Sequence, residues 1–412
     1  MTGLYERDGR VIAAAQRLRF FPLAPVAGCG ARLREADGRE LIDLSGAWGA
    51  AAVGYGHSAV AAAVAGAVRT MPGASLLSGT NPEAVALAEE LVALLPQIPD
   101  ARVYLGHSGS DANAAALRSI RAATDRTRIL AFDGSYHGGL GPAQEVSGVW
   151  IDGGTAPAAD LTMIPYLSLD AAEAELGKGD VAAVLVEPIL SDGGLVIPPD
   201  GQLRRLADLT HEHGAWLLVD EVKVGLGRTG WLHAFEAEGV VPDVVTFGKA
   251  LGGGLPLSAA VGRAEIMDAA EGSSLLTTAG NPVCAAAGRA VLHTLAAEGL
   301  VERSAVLGHV LSDHLAELSD RHESVSDTRS RGLCAGIELD SAITAAKVVH
   351  RAHELGAVVY YVGTGSNVLE LTPPLVISAQ DLARGIDILD AALADVADGL
   401  VHDEVVTAYR GW

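Results

Sequence analysis

The pattern of apolar and polar positions predicts a parallel sheet flanked by helices in the middle of the chain. Three runs of mostly apolar residues occupy positions 181–186, 215–219 and 244–247. Such runs are typical of strands that are buried on both faces of a sheet. A helical segment at 201–213 separates the first two, and a strand–helix–strand unit of this kind is a right-handed crossover. The central part of the chain is therefore predicted to be α/β.

The same pattern predicts further elements on both sides of this region. A hairpin with an Asp-Gly turn is predicted at 33–44. Helices are predicted at 58–70, at 82–95, from the end of the segment 106–113 to about residue 123, and at 283–297. Strands are predicted at 103–105, 129–132 and 257–261. The segment 141–180 holds several Gly, Pro and Asp residues and is predicted to be irregular.

The last quarter of the chain has a different pattern, which indicates a second domain. Helices are predicted at 302–319, 342–355 and 379–396, and strands at 333–339, 358–361 and 367–371. Such a mixture favours a separate α+β domain. We expect a large domain at 51–297, and a small domain built from both termini, residues 1–50 and 298–412.

Composition excludes several classes of protein. The chain has 412 residues, of which 49% are hydrophobic, so it is expected to be globular. Its net charge of −22 disfavours nucleic-acid binding. The three cysteines, Cys29, Cys284 and Cys334, show neither a disulfide framework nor a metal-binding spacing. With no signal peptide and no apolar run long enough to span a membrane, the chain is expected to be cytoplasmic.

The ends of two predicted strands carry the residues that are most informative about chemistry. Asp220 follows one apolar run, and Lys249 comes 29 residues later, after the next. Ligands bind beyond the carboxyl ends of strands in an open α/β sheet, so both side chains could face one ligand. A lysine that forms a Schiff base and an aspartate that pairs a pyridinium nitrogen are what pyridoxal phosphate (PLP) requires. The alternative is an ordinary strand-end aspartate and a surface lysine.

Three loops supply further candidates for a ligand site. A Gly/Ser segment with Ser108, Gly109 and Ser110 opens a helix, which suits a phosphate, although Ser110 or Asp111 could simply cap that helix. Another loop holds Tyr136 and His137 between glycines, where a ring could stack on a planar cofactor. Trp48 lies in a loop of small residues, and lining a pocket and packing in the core are both open to it.

Taken together, these motifs resemble the signature of the class III PLP-dependent aminotransferases. The matching segments extend in the same order from about Asp37 to Leu375: Ser108–Asn113, Tyr136-His137-Gly138, Glu187-Pro188, Asp220-Glu221-Val222, Gly225–Gly230, Gly248-Lys249 and Gly280-Asn281-Pro282. The resemblance implies PLP fold type I, with a mostly parallel seven-stranded sheet, and a homodimer whose active sites are shared between subunits.

The resemblance also implies a role for each matching residue. Lys249 would form the Schiff base and act as the proton-transferring base, and Asp220 would pair the ring nitrogen. Val222 and Tyr136 would cover the two ring faces. The phosphate would be held by Gly109 and Ser110 of one subunit and by Thr277, or the adjacent Thr278, of the other. His137, Glu187 and Ser108 are expected in the same cofactor site.

Two departures from the family pattern concern the substrate. Lys223 stands where the family usually has a glutamine that contacts the cofactor phenolate oxygen, so it is either a donor to that oxygen or a second base. Glu370 stands where many members carry an arginine that binds the substrate carboxylate. Together with Asp192, at the position of that arginine's partner in some relatives, Glu370 predicts an acidic mouth to the site.

These departures lead to a prediction of function. The chain is expected to be an aminotransferase that moves an amino group between a cationic amine and a carbonyl acceptor, with an aminoglycoside amino sugar as the specific guess. The glycine-rich stretch 138–155 is expected to leave room for such a molecule. One alternative is an epimerase acting on the same amine through Lys223. The other is an ω-amino-acid aminotransferase that binds the substrate carboxylate through Arg228 or another arginine.

Overall fold

The computed structural model describes residues 3–71, 73, 75–149, 157–407 and 409. Within these ranges the strands are β1 (Pro25–Cys29), β2 (Arg32–Glu35), β3 (Glu40–Asp43), β4 (Ala101–Gly106), β5 (Arg128–Phe132), β6 (Leu161–Ile164), β7 (Val181–Val186), β8 (Trp216–Asp220), β9 (Val244–Phe247), β10 (Ser258–Arg263), β11 (Val325–Arg331), β12 (Cys334–Leu339), β13 (Ala357–Val358), β14 (Tyr360–Val362) and β15 (Val368–Leu371).

The α-helices of the described ranges are α1 (Leu4–Val11), α2 (Ser58–Thr70), α3 (Pro82–Ala93), α4 (Gly109–Ala122), α5 (Gly141–Glu145), α6 (Leu169–Leu176), α7 (Gln202–Glu212), α8 (Ala264–Met267), α9 (Pro282–Ala297), α10 (Leu300–Arg321), α11 (Ala342–Leu355), α12 (Ala379–Ala397) and α13 (Asp403–Val406). Short 3-10 turns occur at Ala14–Gln16, Ala234–Glu238 and Lys249–Gly252. Among the described helices, none is long and apolar enough to cross a membrane.

A seven-stranded sheet forms the centre of the molecule and confirms the predicted α/β class. Its strand order is β4-β10-β9-β8-β7-β5-β6. The five strands from β9 to β6 are parallel, and β10 runs antiparallel to β9 and β4. Every residue of β7 is buried, as expected for a strand covered on both faces. The carboxyl ends of β7, β8 and β9 therefore meet at one edge of the sheet.

Two smaller sheets lie outside the central one. The first has the order β1-β2-β3-β13, and the second has the order β11-β12-β15-β14. Strand β13 pairs in parallel with β3, through Ala357 with Ile42 and Val358 with Asp43. This pairing joins the amino-terminal segment to the carboxyl-terminal part of the chain. It agrees with a small domain built from both termini, although the domain boundaries themselves stay a prediction.

The prediction of an irregular segment at 141–180 is wrong for much of its length. Helix α5, strand β6 and helix α6 all lie there. Strand β6 is short and pairs in parallel with β5 at the edge of the central sheet, so only Ile164 is fully buried and its apolar pattern is weak. The glycine-rich stretch 138–155 is only partly described, because residues 150–156 lie outside the described ranges.

Candidate active site

Parallel pairing of β8 with β9 places the carboxyl ends of these two strands side by side. Asp220 is the last residue of β8 and lies in register with Thr246 of β9, and Lys249 follows two residues after β9 ends. Lys249 has a φ of +38°, which is unusual for a residue with a side chain. Strain of this kind persists where the surrounding structure imposes it, and it is common at functional sites. Asp220 and Lys249 both line one cavity of about 450 Å³.

The cavity has the size of a small-molecule site and collects most of the candidate residues. Ten of them line it: Ser108, Gly109, Ser110, Tyr136, His137, Glu187, Asp220, Val222, Lys223 and Lys249. The other lining residues are Gly138, which belongs to the Tyr136-His137-Gly138 motif, and Ala50, His107 and the segment 254–257, to which the sequence assigned no role. His107 directly precedes the predicted phosphate loop, but it has no neighbouring motif that would have marked it.

A buried hydrogen-bond network fixes Asp220. Its Oδ2 atom accepts from Asn113 Nδ2 and lies near His137 Nδ1, both at 2.8 Å, and its Oδ1 atom accepts from the backbone of Val222 at 3.0 Å. Asn113 is held in turn, because its Oδ1 accepts from the Thr246 hydroxyl at 2.7 Å. The carboxylate is therefore oriented before any ligand arrives. Asn113 ends the Ser108–Asn113 motif, but its contact with Asp220 was not predicted from the sequence.

The loop before α4 is shaped to bring its backbone close to a ligand. Ser108 caps the helix, since its hydroxyl accepts from the backbone of Asp111, and the Asp111 carboxylate accepts from the backbone of Ser108. The alternative in which Ser110 caps the helix is wrong, because the Ser110 hydroxyl instead accepts from the backbone of Gly139. A Cβ atom on Gly109 would lie only 2.8 Å from Val222. Free backbone N–H groups at the start of this 14-residue helix suit a phosphate.

Glu187 holds the loop that carries Tyr136. One carboxylate oxygen accepts from the backbone of Tyr136 at 2.9 Å and the other from the backbone of Ser191 at 3.2 Å. Burial raises the pKa of Glu187 to about 7, although the interaction with His137 opposes this shift. Glu187 thus connects the end of β7 to an aromatic side chain in the wall of the cavity.

Lys223 lies between two buried carboxylates. Its Nζ atom is 2.7 Å from Asp192 Oδ1 and 2.7 Å from Glu370 Oε1. Burial alone would lower the pKa of Lys223, but attraction to both carboxylates outweighs it and raises the pKa. For Glu370 burial dominates and raises the pKa. Burial also acts to raise the pKa of Asp192, but the charges of Lys223 and Lys249 and the hydrogen bond from Lys223 together outweigh it and lower that pKa. Lys223 also lies 5.1 Å from the centre of the Trp48 ring.

This arrangement corrects the prediction of an acidic mouth. Asp192 and Glu370 are both almost fully buried, do not line the cavity, and are already neutralised in part by Lys223. They are therefore not free to receive an ammonium group from a substrate. Trp48 does not line the cavity either, and stacks on Tyr360 with 4.8 Å between ring centres.

Arg228 is a structural residue in this fold and does not serve as a carboxylate-binding residue in the cavity. Its guanidinium is buried and donates to the backbone carbonyls of Leu333 and Pro373, and burial lowers its pKa to about 10. The alternative that places a substrate carboxylate on Arg228 is therefore wrong. Thr277 and Thr278 are exposed, and Thr278 lies within hydrogen-bond distance, 3.0 Å, of His107 in the cavity wall.

Comparisons with known proteins agree with this geometry. The family model for "Aminotransferase class-III" matches residues 13–393. A leucine/methionine racemase of Thermococcus litoralis is 34% identical and covers 99% of both chains. An acetylornithine aminotransferase of Mycolicibacterium smegmatis is 40% identical over 92% of this chain and 95% of the relative.

Solved structures show the same fold. The ornithine aminotransferase of Toxoplasma gondii, described with PLP at its active site, superposes with a TM-score of 0.89 at 27% identity, covering 96% of this chain and 94% of that one. The fold is therefore PLP fold type I, and the cofactor of this family is PLP. From the match along almost its whole length, the chain belongs to the class III aminotransferase family.

Proposed function

We propose that Lys249 attaches PLP covalently and that Asp220 pairs its ring nitrogen. Their common cavity, the fixed carboxylate of Asp220 and the open start of α4 all support this assignment. Ser108, Gly109 and Ser110 would hold the phosphate, while Val222 and Tyr136 would enclose the ring. Bound PLP supplies an electron sink for the carbon that carries the substrate amine.

The reaction that we propose is inversion at that carbon, as in a racemase or epimerase. The observation that carries it is the presence of two lysines, Lys223 and Lys249, in one cavity wall. Burial and the neighbouring charge of Lys223 lower the pKa of Lys249, whereas Asp192 and Glu370 raise that of Lys223. Titratable groups whose surroundings separate their pKa values commonly serve as base and acid.

In this proposal the substrate loses one proton and regains one, so no oxidant is needed. Lys249 would accept the proton when the C–H bond breaks, and PLP would supply the electron sink for the electron pair that this bond leaves on the substrate carbon. A proton from Lys223 then forms the new C–H bond on the other face, and the reverse direction exchanges the two roles. Transamination needs only one residue to move the proton, so it would leave Lys223 with the role of a hydrogen-bond donor alone.

Relatives support inversion as a reaction of this family. Besides the leucine/methionine racemase, an alanine/serine racemase of Pyrococcus horikoshii is 34% identical over 98% of this chain. An isoleucine 2-epimerase of Lentilactobacillus buchneri is 33% identical over 99% of it. None of these names mentions an aminoglycoside, and the carboxylates that suggested a polycation are paired with Lys223. The aminoglycoside prediction therefore has no support.

Proton exchange in D₂O tests the reaction type. We expect deuterium to enter the amine-bearing carbon while optical activity is lost and no carbonyl product forms. Lys223→Gln should abolish inversion, and Lys178→Gln, at an exposed lysine on the surface, should not affect it. Formation of a carbonyl compound in step with amination of an added keto acid would reject inversion.

Transamination is the second candidate, because the acetylornithine aminotransferase has a higher percentage identity with this chain, 40%, than the leucine/methionine racemase has, 34%. It predicts amino transfer to a keto acid with the configuration of the unreacted substrate retained. The same assay therefore separates the two reactions.

We also propose that the enzyme is a homodimer with shared active sites. Thr277 and Thr278 are exposed in the single chain, next to His107 in the cavity wall, so a partner subunit can reach them. Sedimentation at decreasing concentration, with activity followed in parallel, tests this proposal. A monomer that keeps full activity would contradict it.

A further inference from the structure

The charged side chains that line the cavity limit the chemical class of substrate that can bind. The only lysine or arginine side chains among the described residues that line it are those of Lys223 and Lys249. Proteins usually bind a carboxylate firmly by a bidentate arginine, and no described residue of this wall is an arginine. Lys249 is assigned to the cofactor. Among the described residues of this chain's own wall, Lys223 is therefore the cation left to face an anion next to the substrate amine.

The positive charge of Lys223 is already shared by two carboxylates. With Asp192 and Glu370 both within 2.7 Å of Nζ, the three groups carry a formal net charge of −1 when all are ionised. An incoming carboxylate would be repelled by this cluster, or would have to displace one of its members. Displacement would leave a buried carboxylate without its partner, which is strongly unfavourable.

The cluster instead offers a hydrogen-bond donor to an uncharged group. Lys223 lines the cavity and has three N–H groups but only two neighbouring carboxylates, so one N–H can serve a further acceptor. Asp192 and Glu370 do not line the cavity, so they hold Lys223 without contacting the substrate themselves. A carboxamide matches this arrangement, because it carries no charge and its carbonyl can accept from Lys223.

We propose that the natural substrate carries an uncharged carboxamide group, and not a carboxylate, next to the amine-bearing carbon. This inference rests on the proposed inversion at that carbon and names the substrate class of the same site. It assigns Lys223, Asp192 and Glu370 a second task, as the group that selects a neutral substrate.

A matched substrate panel tests the proposal on the holoenzyme. L-Leucinamide and L-alaninamide are compared with L-leucine and L-alanine by deuterium incorporation and loss of optical activity. We expect kcat/KM to be at least about ten-fold higher for each amide than for its acid, as expected when one substrate leaves buried polar groups unpaired. If the acids are inverted as fast as the amides, the substrate class is wrong and the inversion stands. If no compound exchanges its proton, the proposed inversion itself fails.

A charge variant tests the assigned residues. Glu370→Gln leaves Lys223 with a single carboxylate, so the ratio of amide to acid specificity should fall by roughly ten-fold as carboxylates gain access. Glu338→Gln, in the neighbouring strand β12 and paired with Arg329, is the matched control and should leave the ratio unchanged. An unchanged ratio in Glu370→Gln would overturn the assignment.

Inhibition of the unmodified enzyme gives an answer even if Glu370→Gln does not fold. Isobutyramide and isobutyrate have the same shape but different charge. We expect the amide to compete with the substrate at a concentration at least about ten-fold lower than the acid requires. Stronger inhibition by isobutyrate would overturn the proposal.

Discussion

Asn113 donates a hydrogen bond to Asp220 over 2.8 Å, although 107 residues separate them in the chain. Both side chains are buried, and the same amide nitrogen also donates to the backbone carbonyl of His137 at 2.7 Å. Asn113 therefore connects helix α4, the Tyr136–His137 loop and the end of β8. Its position makes it a positioning residue for the carboxylate that is proposed to pair with the cofactor ring.

Replacement of Asn113 by alanine is expected to weaken cofactor binding as well as stability. The change leaves the Thr246 hydroxyl and the His137 carbonyl without their partner, and unmade buried hydrogen bonds cost about 1–3 kcal/mol each. The measurements are the free energy of unfolding in urea and the dissociation constant of PLP. Asn367→Ala, which removes a similar bond to the Leu339 carbonyl away from the cavity, should reduce stability alone. Equal PLP affinity in both variants would show that Asn113 has no positioning role.

Gly109 is expected to be intolerant of even one added carbon. A Cβ atom there would lie 2.8 Å from Val222, so Gly109→Ala must move the start of α4 away from the strand end. PLP affinity should fall by roughly ten-fold or more, since a phosphate held by backbone N–H groups depends on this position. Gly9→Ala, on the exposed face of α1 with ordinary contacts, should bind PLP normally. Tight PLP binding by Gly109→Ala would argue that the phosphate lies elsewhere.

Lys249 should titrate below its ordinary value in the cofactor-free protein. Burial and the charge of Lys223 both lower the pKa of Lys249, so its neutral, reactive form persists to lower pH. The chain has only four lysines, Lys178, Lys223, Lys249 and Lys347, so reductive ¹³C-methylation followed by NMR can resolve each one. In Lys223→Gln the pKa of Lys249 should rise, because a like charge is removed while Asp192 and Glu370 remain. No rise would mean that the two lysines do not interact.

The sheet edge that holds the candidate site was predictable, because the apolar run of each strand shows in the local sequence where that strand ends. Apolar runs indicate where β8 and β9 lie, and parallel pairing then places Asp220 and Lys249 at one edge. Strand β11 could not be found in the same way, since its sequence VSDTRSR is mostly polar and half-exposed at a sheet edge.

The position of the site could be predicted from the sequence, but the contacts between its side chains could not. Lys223, Asp192 and Glu370 come from three distant segments, and their pairing depends on how β15 lies relative to the ends of β7 and β8. From the sequence, each of these three residues taken alone was expected to contact a ligand. Only the distances between them show that the carboxylates of Asp192 and Glu370 are paired with Lys223.

His233 is expected to make the fold sensitive to acid. Its ring is fully buried, stacks on Phe235 with 5.4 Å between centres, and leaves Nδ1 without a hydrogen-bond partner among the described residues. Burial lowers its pKa from 6.5 to about 4. The unfolded chain therefore binds a proton more readily than the folded one between these values. Stability is complete above pH 6.5 and is lost as the pH falls towards 4, by up to about 3 kcal/mol from this residue.

Urea unfolding between pH 4 and pH 7.5 measures this contribution. His233→Phe keeps the stacked ring but cannot take up a proton, so its free energy of unfolding should decline less steeply below pH 6.5 than that of the unmodified protein. His309→Gln, an exposed residue of α10, is the matched control and should keep the original slope. The assay uses the cofactor-free protein, so that loss of PLP in acid does not contribute to the slope. If His233→Phe declines as steeply as the unmodified chain, protonation of His233 does not drive the loss of stability, and other buried groups must account for it.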